Sequence, residues 1–84
     1  MKAQSAVTDQ EWVQIAKWYR MASDAGHPTA MFSLAQLLEA GRGLPADAES
    51  ALQLYRRAVD AGLNEAAAEV QRVEAELSNA KPTV

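Results

Sequence analysis

The side chains in this sequence that could do chemistry are few, and their spacing argues against catalysis. His27 is the single histidine and stands before Pro28, in what reads as a tight turn. As a catalyst or ligand it would need a partner, and no His/Asp/Glu cluster has metal-ligand spacing. It is read instead as a helix-capping residue. Cysteine is absent, which removes disulfides, thiolate metal sites and thiol nucleophiles together. Glu65, Glu69 and Glu76 could act as paired carboxylates, but on one helix they read as a solvated face. Gly41-Arg42-Gly43 lacks the G-x-x-x-x-G-K-[ST] frame and the preceding strand of a phosphate loop. Its Arg42 is suited instead to a partner's carboxylate. Trp12, Trp18, Tyr19 and Tyr55 could stack on a ligand. Their helical spacing makes them helix–helix core instead, where aromatic bulk is most useful. Trp12 is the exception: it is kept as a candidate exposed anchor, because tryptophan is enriched at binding hot spots. No catalytic residue, cofactor or metal is expected, and the chain is read as non-enzymatic.

Charge and length narrow the alternatives. The chain has 84 residues, eight Lys and Arg, and a net charge of −3. It has no basic face for nucleic acid and no polybasic run for an anionic membrane. No apolar run approaches the ~18 residues of a membrane span. Met1-Lys2-Ala3-Gln4-Ser5-Ala6-Val7-Thr8 has no apolar core of the signal-peptide kind. The expected compartment is the cytoplasm, with the periplasm left open should the chain be an excised domain. The hydrophobic fraction is 49%, much of it alanine. Alanine is the best helix former and buries little area, so the core should be thin and its helices close together.

The elements that must position these residues are repeated. Tyr19-Arg20-x-Ala22 returns as Tyr55-Arg56-x-Ala58, and Asp24-Ala25-Gly26 returns as Asp60-Ala61-Gly62, each 36 residues later. A period of this size marks a repeat array whose unit is one supersecondary element. Thr8-Asp9-Gln10-Glu11 fits a capping box, with Val7 and Trp12 at the staple positions, and opens a first helix that Gly26 closes. Trp18, Ala22 and Ala25 form a second apolar seam on it, which implies contact with more than one neighbour. Pro28 at a first helical position opens a second helix to residue 40. The break Gly41-Arg42-Gly43-Leu44-Pro45 follows, with Leu44 as an apolar pin. A third helix near 46–61 is capped by Asp47 or its neighbour. A fourth runs from about Asn64 to Ser78, with Ala66, Val70, Val73 and Leu77 inward. Its outer side is charged, with Glu69–Arg72 and Arg72–Glu76 able to pair, which suits the end of an array. Arg20–Asp24 and Arg56–Asp60 are read as surface i,i+4 pairs. The organisation expected is a flexible N-terminus over 1–7, one helical domain over 8–78 and a flexible tail over 79–84.

Two motifs and the period together resemble the Sel-one-like repeat (SLR) family, relatives of the tetratricopeptide repeats. One is Ala16-Lys17-Trp18-Tyr19-Arg20-Met21-Ala22-x-x-x-Gly26. The other is Ala30-x-Phe32-x-Leu34-Ala35-x-x-Leu38-x-x-Gly41-x-Gly43-Leu44. The match spans about 12–66. Ala35 and Leu38 depart from the family's glycine and aromatic. Gln71 and Leu77 depart further in the last helix, which therefore reads as a cap. The resemblance implies an all-α fold: four antiparallel helices in a short right-handed solenoid. It further implies a protein-binding scaffold whose first helix of each pair lines a concave surface. Carried onto this chain, Thr29, Phe32, Gln36 and Glu39 would face that groove, joined by Glu65, Ala68 and Arg72.

The function expected is non-catalytic binding of another protein, as a peptide or a helix, on the concave face. The alternative is a small structural or regulatory subunit that homodimerises, or docks on a larger complex, through the apolar edge of its first helix.

Overall fold

The computed structural model describes residues 7–80. It holds four helices, α1 (Asp9–Asp24), α2 (Pro28–Ala40), α3 (Ala48–Asp60) and α4 (Ala66–Ala80), and no strand among the described residues. The chain is all-α, as its periodicity predicts. The ends expected to be flexible, 1–7 and 79–84, lie mostly outside the described residues. Asn79 and Ala80 belong to α4, so that helix runs past Ser78. It also begins later than expected, because Asn64 and Glu65 form a turn ahead of it.

Local chemistry accounts for the helix starts. The Glu11 amide donates to Thr8 Oγ1 at 3.2 Å and the Thr8 amide donates to Glu11 Oε1 at 2.8 Å, a complete capping box. Asp47 caps α3: its Oδ1 accepts from the Ser50 amide at 3.1 Å and its Oδ2 from the Ser50 hydroxyl at 2.8 Å. The hydroxyl bond first, and then the amide bond, hold the Asp47 carboxyl below its ordinary pKa. His27 occupies the cap position of α2, but its side chain makes no capping bond. The capping position expected for His27 is therefore found, but through its backbone alone. Pro28 at the helix start has no amide to satisfy, so less is asked of the cap.

The helices stack in series, α1 on α2, α2 on α3 and α3 on α4, within an outline of 48 × 32 × 21 Å. Ala35, Ala51, Tyr55, Ala58, Ala66 and Val73 have no exposed surface. Four of the six are alanines, which brings helix axes close enough for the large side chains beside them to interlock. Met31, Leu34, Leu38 and Leu54 complete this core. No helix among the described residues is long and apolar enough to cross a membrane.

The α2–α3 loop is tied down at both ends. The Arg42 amide donates to the Leu37 carbonyl at 3.0 Å and the Asp47 amide to the Leu38 carbonyl at 2.9 Å. Leu44 is half-buried against the core, the pin its apolar character predicts. Gly43 has φ +79° and lies directly on the Trp12 backbone, so an added methyl would collide with the Trp12 carbonyl. The Arg42 guanidinium stands over the Trp12 ring, 5.0 Å from its centroid. This loop therefore holds α1 to the repeat that follows. Gly43→Ala combines a left-handed backbone with that collision, and is expected to lower unfolding free energy by about 2 kcal/mol or more in urea titration. Gly26→Ala, where no atom lies near the added methyl, should cost only the backbone part.

Candidate protein-binding surface

Thr29, Phe32, Gln36 and Glu39 recur every three or four residues along one side of α2. Thr29 and Gln36 are exposed, while Phe32 and Glu39 are half-buried. Ala68 and Arg72 lie exposed on α4, and Glu65 is exposed in the turn just before it. Two of these side chains, from two helices and 33 residues apart, meet directly: Arg72 Nη2 donates to Glu39 Oε1 at 2.8 Å. That contact sets the flanks of α2 and α4 side by side.

Beneath the contact lies a residue that sequence reasoning took only as core. The Tyr55 hydroxyl donates to the same Glu39 oxygen at 2.7 Å, and the Tyr55 ring meets Phe32 edge-on with centroids 5.4 Å apart. Arg72 also donates to Glu69 Oε1 from Nε and Nη2, at 2.9 and 2.6 Å, and to Glu76 Oε2 from Nη1 at 2.9 Å. Both intrahelical pairs read from the spacing of α4 are therefore present. Glu39 is the hub. Burial pushes its carboxyl pKa up, but the hydrogen bonds from Arg72 and Tyr55 and the Arg72 charge outweigh that and leave it below the ordinary value of 4.5. For Tyr55, burial comes first and the Glu39 carboxylate second, and both hold the phenol well above its usual value.

Other expected positions behave differently. Trp12 is half-buried under the Arg42–Gly43 loop and does not join the α2–α4 cluster. Arg56 pairs with Glu74 of α4 rather than with Asp60, because α4 supplies a carboxylate across the helix interface. Arg20 has no α4 beside it, and Arg20–Asp24 is not an ion pair among the described residues. The largest departure is Trp18, which helical spacing assigned to the core. It is 63% exposed and its neighbour Met21 is 68% exposed. The second neighbour that the wide apolar face of α1 implied is not found among the described residues. Tyr19 is accordingly half-buried where its counterpart Tyr55 is fully buried.

Serial helix pairs, a 36-residue unit and a shared flank of alternate helices define a helical-repeat protein. Residues 16–27 and 28–63 match the Sel1 repeat, and 28–63 is the unit formed by α2, the glycine loop, α3 and its closing turn. The chain belongs to the Sel1 repeat family, a protein-interaction helical repeat. Neither the curated proteins nor the solved structures yield a match.

The Glu39 cluster makes acid stability testable. A carboxyl whose folded pKa is depressed adds stability above its unfolded value and loses it as pH falls through the folded value. The urea midpoint should decline as pH is taken below 4.5, and Glu39→Gln should flatten part of that decline. At neutral pH, Tyr55→Phe should cost about 1 kcal/mol, the value of one hydrogen bond to a partly buried acceptor.

Proposed function

We propose that this protein is a non-catalytic adaptor that takes a partner's peptide or helix along the concave surface shared by α2 and α4. The observation that carries the reading is the Glu39–Arg72 contact, which joins the two helices into one continuous strip. Thr29, Gln36, Glu65 and Ala68 would contribute contact surface around that join, and each is exposed. Phe32 and Glu39 support the strip from below, through Tyr55.

Charge gives the groove a preference. Glu39, Glu65, Glu69 and Glu76 outnumber Arg72, and Arg72 is already committed to three of them. A segment carrying lysine or arginine beside small or apolar residues suits such a strip, through charge complementarity that favours the right partner over others. Trp12 is not part of this strip; its ring is engaged by Arg42.

Peptides selected from a displayed random library on this protein provide the test. Basic residues should be enriched among them, and the double variant Gln36→Arg, Ala68→Arg should bind them at least about tenfold more weakly. Both positions are exposed, so helicity should be retained. Unchanged affinity in a fully helical double variant would refute the concave assignment.

A further inference from the structure

Positions 36 residues apart should meet the same kind of neighbour, and α1 departs from this on one flank. In α3, Ala51, Leu54, Tyr55 and Ala58 are buried in one cluster with Met31, Leu34, Ala35 and Leu38 of α2. Their counterparts in α1 are Ile15, Trp18, Tyr19 and Ala22, of which none is fully buried and Trp18 is 63% exposed. The other flank of α1 is covered: Ala16 and Ser23, counterparts of Leu52 and Val59, are buried. Helix α1 therefore carries a version of the seat that α2 occupies on α3, with Tyr19 and Ala22 in the places of Tyr55 and Ala58 and the bulkier Ile15 and Trp18 in those of Ala51 and Leu54, and no helix lies in it among the described residues.

The filled copy of the seat shows what fits the open one. On α3 it takes a helix with large apolar groups at Met31, Leu34 and Leu38 and a small one at Ala35, where Ala51 and Ala58 allow close approach. It also takes a carboxylate, since Tyr55 donates to Glu39. The Tyr19 hydroxyl is the counterpart donor and has no such acceptor among the described residues. We propose that α1 accepts one amphipathic helix of a second polypeptide, built like α2, with an acidic residue paired to Tyr19. This is helix-in-groove recognition, on a different surface from the α2–α4 strip.

A second copy of this chain is a poorer occupant on either of its end faces. Its α4 presents Ala67, Gln71 and Glu74 where α2 has Met31, Ala35 and Leu38, and Glu74 is already paired with Arg56. Seating that face on Trp18 would bury polar groups without partners. Its α1 would set the bulky Ile15 and Trp18 against their own copies, where α2 offers Ala35.

The probe is a hydrocarbon-stapled peptide of residues 27–41, stapled because a free helix this short is marginal in water. Titrated calorimetrically into the 84-residue protein, it should bind saturably and one to one. Trp18→Glu and Ala22→Glu, at the counterparts of Leu54 and Ala58, should each retain helicity by circular dichroism and weaken binding at least about tenfold. A peptide carrying Glu39→Ala should also bind more weakly. The double variant Gln36→Arg, Ala68→Arg should bind as the parent does, which separates this seat from the concave surface. The proposal is overturned by any of three results: no saturable binding up to about 1 mM; equal binding by both α1 variants or by the Glu39→Ala peptide; or a concentration-dependent dimer that Trp18→Glu abolishes, which would make a second copy the occupant.

Discussion

Close approach of α2 to α3 is the constraint from which the rest of this small fold follows. Ala35 on one helix and Ala51 and Ala58 on the other have no exposed surface, and Tyr55 fills the space between them. Small side chains at the crossing let Leu34, Leu38 and Leu54 interlock around it, and interiors packed this densely tolerate little change in volume. A chain of 84 residues has few large apolar groups to spend. Its core works because alanines shorten the distance between helices rather than because bulky groups fill a wide gap.

The same Tyr55 that closes the crossing reaches outward through its hydroxyl to Glu39. Glu39 is therefore held from below by the core and from the side by Arg72 of the next helix. Surface ion pairs contribute little singly. Here the carboxylate is largely covered, at 19% side-chain exposure, and shares a guanidinium with two further carboxylates. Such a network orients α4 on the repeat before it. Packing of the core and shaping of the outer strip are thus one arrangement, and the strip inherits its rigidity from the buried ring beneath it.

The two ends of the stack differ in kind. Helix α4 carries Gln71 and Glu74 where α2 has Ala35 and Leu38, and so presents a hydrated face. Helix α1, at the other end of the described stack, holds Trp18 and Met21 toward solvent. Repeat proteins gain stability from each interface between neighbours. One end of this chain has thus been fitted for water, and the other keeps the apolar form of an interior unit.

Much was legible beforehand because it is local. The capping box at Thr8, the proline start of α2, the Asp47 cap and the glycine loop depend on residues within a turn of one another, and all appear where the sequence places them. So did the repeat, because Tyr19 and Tyr55 with their neighbours state the period of 36 outright. The strip was only half legible. Its residues were named only by the family resemblance, and the Glu39–Arg72 contact spans 33 residues, with nothing in either segment naming its partner.

The sequence by itself determined an all-helical repeat, its unit and most of its boundaries, because helix signals and periodicity are carried by near neighbours in the chain. Tertiary structure alone decided which apolar residues are covered. Trp18 and Leu54 occupy the same place in the repeat, yet one faces water and the other the core. Burial depends on whether another helix arrives, and no single helix encodes the presence of its neighbour.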